Sequence, residues 1–357
     1  MPNAAPAATK ADRVVFTCGT DDFTVRDVID AAHLRGELDR LWRDLLTRVA
    51  AEEKAQQSGA ELDQQAMNAT AVAFRYKHDL ITAEETEKWL EQRAVTLGDY
   101  SDYFVRDYWA KIFGARATAA ATPYIHATPE QRELLVTELT FSGQLDQLGK
   151  RFASRVAAFC VLIGDEIPHL LVDEENQQFR SRVANVEEWL AGLGRDEAWL
   201  QEMLQMETAY QNATTRILTP EARQRELSAL RLPLTRCEIE LIELESHGAA
   251  REAFLCVRDD GMTMEEVAKE GRYPYRRIET VLDQLEPEMQ QKYLSAIPGT
   301  VMEPIARGDG YQLTRLLGKR EPSLEDREVG TRVEQRLLAR HFGDLTASRI
   351  QWKILSD

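Results

Sequence analysis

The strongest constraint on this fold is a stretch of sequence that occurs twice. The sixteen residues from Gly36 to Ala51 realign 107 positions later on Gly143 to Ala158, sharing Gly, Leu, Asp, Leu, Arg, Val, Ala and Ala in order. Downstream the order is kept. Phe74-Arg75 is echoed by Phe179-Arg180, Trp89-Leu90 by Trp189-Leu190, and a break at Gly98 by one at Gly194. In the first copy Val28, Ile29, Ala32, Leu38, Leu41, Leu45 and Val49 recur at helical spacing to about residue 56, where Ser58-Gly59 interrupts them. Thr24 is placed to cap this helical run. A small helical unit buries its apolar face poorly alone, so two copies are expected to pack together or to form a pseudo-symmetric cradle.

The remaining punctuation divides the chain into five stretches. Residues 1–12 form an Ala/Pro-rich leader without the apolar core of a secretory signal. Residues 13–115 are helical unit 1, entered by a single β-branched strand, Arg13-Val14-Val15-Phe16-Thr17, that ends at Gly19. Helical breaks fall near Thr82 and Gly98, and aromatics supply much of the apolar bulk. Residues 116–232 are helical unit 2, residues 233–320 a different α+β pattern, and residues 321–357 a helix and strand expected to pack back on the body. Aromatics such as Tyr100, Tyr103, Tyr108 and Trp109 suggest an apolar face through which two copies pair as a homodimer.

Composition narrows the partners. Sixty acidic against 44 basic side chains give a formal charge of −16, which repels phosphate backbones and excludes nucleic acid as the expected partner. No run approaches the roughly 20 apolar residues that span a bilayer, so no membrane partner is expected. Cys18, Cys160, Cys237 and Cys256 stand far apart in sequence with no CxxC pair, and read as free thiols in a reducing, cytoplasmic compartment. No P-loop, dinucleotide fingerprint or HExxH is present, and neither cofactor nor metal is expected.

From residue 233 the period changes. Cys237 to Leu244 alternates polar and apolar residues, as a half-buried strand does. Ser246 to about Arg258 and Met262 to Gly271 read as helices, and so does Leu282 to Leu294. Pro298-Gly299 makes a turn, Val301 to Ile305 a short strand, Gly308-Asp309-Gly310 a tight turn, and Tyr311 to Leu317 a closing strand.

That order of elements, with Gly310-Tyr311-Gln312 entering the last strand, resembles the parvulin family of peptidyl-prolyl isomerases. Residues 13–115 are similar to the helical N-terminal region of SurA-like chaperones. The resemblance implies a mainly α chain with a C-terminal α+β parvulin-like domain behind a SurA-like helical body. It also implies a peptide pocket that the family builds from two facing histidines over a Met and Phe floor. Here Glu238 stands in the first histidine position and Gln312 in the second, while Met289 and Tyr293 match the floor and Met264 an apolar position of the preceding helix. Such a domain keeps a peptide groove and loses the polar cluster that stabilises a twisted amide, so prolyl isomerase activity is not expected.

Three functions follow from the resemblance. The first is a protein that holds a precursor peptide, and meets its modifying enzymes, during maturation of a ribosomally synthesised, post-translationally modified peptide; crocagin-type pathways are one such setting. The second is an enzyme that modifies or cyclises the bound peptide, with Glu238, Gln312 and Tyr273 as candidate acid/base groups and Tyr311 and His247 nearby in sequence. The third is a general foldase.

Overall fold

The computed structural model describes residues 9–116, 122–162 and 169–354. Residues 1–8 of the leader lie outside them. Two compact units emerge: residues 1–214 with 341–357, and residues 215–340, which are inserted between those two stretches. Both sequence copies therefore belong to one unit.

Chain order in the first unit begins with β1 (Val14–Cys18) and β2 (Asp21–Thr24), then α1 (Val25–Leu34), α2 (Leu38–Ser58), α3 (Gln64–Lys77), α4 (Ala83–Gln92) and α5 (Leu97–Phe113). The second set of five helices is α6 (Pro129–Phe141), α7 (Gln144–Leu162), α8 (His169–Arg182), α9 (Val186–Leu193) and α10 (Glu197–Ile217). The inserted unit holds α11 (Pro220–Ala229), β3 (Arg236–Leu244), α12 (His247–Arg258), α13 (Met264–Gly271), β4 (Tyr275–Val281), α14 (Pro287–Ser295), β5 (Ile305–Arg307) and β6 (Gly310–Arg320). The last elements are α15 (Arg327–Arg349) and β7 (Ile350–Trp352). The protein is mainly helical with a C-terminal α+β unit.

The expected lone strand is the centre of a three-stranded antiparallel sheet ordered β2-β1-β7. Of its partners, β2 is short and polar and escapes a sequence reading, while β7, directly after α15, lies in the 321–357 stretch read as a helix and strand. The duplication covers ten helices, with α1–α5 answered by α6–α10. Gly36 and Gly143 both adopt left-handed backbone (φ 73° and 72°), and each donates its N–H to the carbonyl three residues earlier, in His33 and Thr140. Phe74 meets Trp89 edge-on at 5.4 Å, and Phe179 meets Trp189 edge-on at 5.1 Å.

The Gly98 break moves. Gly98 lies in the first turn of α5, and the counterpart of Gly194 is Ala94, each five residues after its Trp. Both are left-handed (φ 66° for Gly194, 50° for Ala94), and the matching bonds Ala94 N–H to Glu91 O and Gly194 N–H to Ala191 O are both 3.0 Å. An alanine pays roughly 1–2 kcal/mol for that conformation. Ala94→Gly is therefore expected to raise stability by about 0.5–1 kcal/mol after glycine's extra unfolded-state entropy, read as a higher urea midpoint at unchanged slope.

The two copies exchange their first helices. At the end of α1, His33 stacks on Trp189 of the second copy (5.3 Å between rings) and accepts a hydrogen bond from its Nε1–H at 3.1 Å. At the end of α6, Phe141 stacks on Trp89 of the first copy (5.7 Å). Each exchanged helix also carries a buried carboxylate to an arginine of the other copy. Asp30 meets Arg195 Nε and Glu138 meets Arg106 Nε, both at 2.7 Å. Tyr103 and Trp109 are buried in this packing and Tyr100 donates its hydroxyl to the Ala71 carbonyl, so the aromatic face invoked for homodimerisation is largely core.

In the inserted unit the sheet order is β4-β3-β6-β5, all antiparallel. Strand β4 was not expected, and the helix read over Leu282 to Leu294 is split. Leu282–Gln284 forms a single 3₁₀ turn, and α14 starts at Pro287, whose fixed φ suits a first helical position. Val301 makes only an isolated bridge to Arg315, leaving β5 to begin at Ile305.

Candidate functional site

Alternation along β3 sends its side chains to two environments. Ile242 and Leu244 pack with Phe254, Met264 and Leu313 against α12 and α13. Cys237 and Ile239 point to the opposite face, where they pack with Tyr293, Met302 and Leu316 beneath α14. That second face is covered only in part. The remainder is a cavity of about 870 Å³.

Five elements build its walls. The sheet floor is Ile239 and Leu241 from β3, Gln312 from β6, and Arg276, Ile278 and Thr280 from β4. Leu285, Met289 and Tyr293 enter from α14 and the turn before it, and Ile305, Arg307 and Gly308 from the β5–β6 hairpin. The hairpin is pressed against the end of β3. A Cβ on Gly310 would sit 2.6 Å from the Leu244 carbonyl oxygen, so only glycine fits there.

Polar and apolar surface line the cavity about equally, and several of the polar groups have defined partners. Arg307 Nη1–H donates to Gln312 Oε1 at 3.1 Å, anchoring an exposed guanidinium on a buried amide. Arg276 pairs with Glu243 at 3.3 Å across the rim. Tyr293 is 1% exposed, and burial pushes its phenol up against the opposing effect of a hydrogen bond with Thr314. Cys237 beside it is likewise pushed up by burial. Among the described residues β4 lies at the end of the sheet and is hydrogen-bonded only to β3, and Ile278 at its centre is 39% exposed.

The residues singled out from sequence divide. Met289, Tyr293, Gln312 and Tyr311 line the cavity. Glu238 does not: it lies opposite Glu279 and Gly318 in the ladder and is ion-paired to Arg277, whose Nε–H donates to it at 2.8 Å. The residue facing Gln312 is Glu243. The expected Glu238–Gln312 pair is therefore replaced by Glu243–Gln312, because the antiparallel ladder sets Glu238 near the start of β3 against Gly318 near the end of β6, and Gln312 near the start of β6 against Glu243 near the end of β3. Met264 is fully buried on the helix-covered face, and Tyr273 lines a separate cavity of about 160 Å³ with Cys256 and Met262. His247 stacks edge-on with Tyr311 at 5.4 Å without lining the large cavity.

The β4 and hairpin residues were missed. A usable signal for β4 existed, since Tyr275 to Val281 is rich in aromatic and β-branched residues and follows Pro274. Among the described residues no helix is long and apolar enough to cross a membrane, and no group of three or more His, Cys, Asp or Glu side chains could hold a metal ion.

Fold and site together define a helical protein that carries an α+β unit with a half-open cavity on one sheet face. Known proteins to which it is similar are foldases and chaperones. The peptidylprolyl isomerase PrsA of Bacillus cereus shares 18% identity over 59% of this chain and 85% of its own, with a TM-score of 0.38. The foldase PrsA of Streptococcus pneumoniae shares 14% over 59% and 89%, with a TM-score of 0.26. A SurA-like chaperone from Campylobacter jejuni, in the structural study of PEB4 and Cj1289, shares 11% over 62% and 87%, with a TM-score of 0.18. No family model matches the sequence, and no curated protein does.

Proposed function

We propose that this chain is a peptide-binding protein that holds an extended peptide on its inserted α+β unit without isomerising it. The observation that carries the reading is the junction of a strand edge that is unpaired among the described residues with a cavity whose lining mixes apolar and polar side chains. A peptide laid along β4 satisfies its backbone hydrogen bonds there, and alternate side chains drop toward Ile278, Leu285, Met289 and Tyr293. Arg307 and Arg276 at the rim suit a carboxylate on the same peptide.

The absence of isomerase chemistry is part of the proposal. Across β3 and β6 the residues facing each other on the cavity side are Ile239 and Leu316, Leu241 and Thr314, and Glu243 and Gln312. No imidazole lines the cavity among the described residues, and a hydroxyl and an amide are poor substitutes for a paired acid/base centre. In its finer form the reading makes the client a precursor peptide of a ribosomally made natural product, kept in the cytoplasm for its modifying enzymes.

Calorimetric titration with a candidate precursor peptide, followed by mass spectrometry, tests the reading. Micromolar binding with unchanged peptide mass is expected. Ile278→Glu, which places a charge on an already exposed wall residue, is expected to weaken binding by at least about tenfold, or ~1.4 kcal/mol. Equal binding by that variant removes the cavity as the site. A shifted peptide mass makes the protein an enzyme, and accelerated Xaa-Pro exchange makes it a foldase.

A further inference from the structure

Two of the four cysteines, 142 positions apart in sequence, meet in the helical unit. Cys18 is the last residue of β1, the central strand of the β2-β1-β7 sheet, and Cys160 lies near the end of α7. Their sulfurs are 2.9 Å apart, less than about 1 Å beyond the ~2.05 Å length of an S–S bond. Cys18 is 6% exposed and Cys160 is half-buried, so the pair is reachable from the Cys160 side.

The other two thiols are placed differently. Cys237 is fully buried under the cavity floor and Cys256 lines the small pocket, and neither has a thiol partner among the described residues. We infer that Cys18 and Cys160 are a disulfide-forming dithiol that, when oxidised, ties the central strand of the terminal sheet to the second helical copy. The oxidant is a low-molecular-weight disulfide such as oxidised glutathione. Cys160 first exchanges into a mixed disulfide, releasing one glutathione thiol. The Cys18 sulfur then displaces the second glutathione, so two S–H bonds and one S–S bond are exchanged for one protein S–S bond and two reduced glutathiones.

The chemistry of the site makes this a structural bond rather than a reactive centre. Burial, reinforced by the neighbouring Cys18 thiol, pushes the Cys160 thiol up to about 12, so little nucleophilic thiolate exists at neutral pH. Exchange in the native state is accordingly slow, and the bond forms most readily as the chain folds.

The test is refolding of the full chain in glutathione buffers of graded redox ratio, then acid quench, alkylation, intact mass and peptide mapping. Under oxidising ratios two of four thiols are expected to escape alkylation, with the peptides containing Cys18 and Cys160 joined. Because the bond closes a long loop, half-oxidation in native buffer is expected at a glutathione ratio at least about 100-fold more reducing than in denaturant. Cys160→Ser and Cys18→Ser should each leave three alkylated thiols under all ratios. Four alkylated thiols in the wild-type chain, a different pairing, or the same half-oxidation ratio with and without denaturant would each overturn the inference.

Discussion

Replacing Arg195 with alanine is expected to destabilise the helical unit by about 3–5 kcal/mol, seen as a large drop in urea midpoint. Arg195 bridges two carboxylates of α1. Its Nη2 is 2.7 Å from Asp27 Oδ1 and its Nε 2.7 Å from Asp30 Oδ2. Asp30 is 1% exposed, and burial already raises its pKa against the pull of Arg195. Without the arginine, a buried carboxylate retains only Arg26, 3.7 Å away. The sign of the pH dependence follows. Loss of Arg195 raises the folded-state pKa of Asp30 further, so the folded variant holds its proton to a higher pH than the unfolded chain. The deficit is therefore smallest at acid pH and grows as pH rises through that pKa toward neutrality. Arg195→Lys restores charge but not the two-pronged geometry, and should recover only part of the loss.

Trp189→Ala is the second large effect, expected at about 3–5 kcal/mol. The indole is 5% exposed, meets Phe179 edge-on and donates to His33 across the exchange of first helices. Burial holds the His33 imidazole below its ordinary value, so it is a neutral acceptor for that bond. Because α1 rests on the second copy's tryptophan, hydrogen exchange should show α1 losing protection together with α9. If α1 keeps its protection while α9 loses it, the exchange of first helices is not what seats α1.

The repeat was the most legible part of this chain because it could be read without knowing any packing. Glycines with left-handed backbone and Phe–Trp pairs recur for reasons local to each copy, and the break at Gly194 is a helix end; the single helical run read from Thr24 to about residue 56 is instead two helices, α1 and α2, because Gly36 between them takes a left-handed backbone. The exception is instructive: Gly98 looked like the first-copy break because glycine is the usual residue there, yet Ala94 takes the conformation. Which copy's tryptophan a helix rests on is a tertiary choice, and no spacing in the sequence reveals it.

Legibility of the site followed the same division. Met289 and Tyr293 were found because the resemblance supplies a Met and Phe floor, and their one-turn spacing puts both on one helix face. Glu238 was misplaced because it stands near the start of β3, which the antiparallel ladder sets against the end of β6, and strand register leaves no mark in an alternating pattern. β4 was missed because the surface charges of Arg276, Arg277 and Glu279 mask its alternation, as befits a strand open to solvent on one edge.

The pairing of β1 with β7 sets a timetable for biosynthesis. The partner of β1, Ile350–Trp352, is translated more than 300 residues after it, on the order of tens of seconds later. Until then one side of β1 is an open hydrogen-bonding edge carrying Val15 and Phe16, while every strand of the inserted unit already has its neighbours. The inserted unit is thus complete before β1 is closed on its second side, and the vulnerable interval of that edge is set by translation rate.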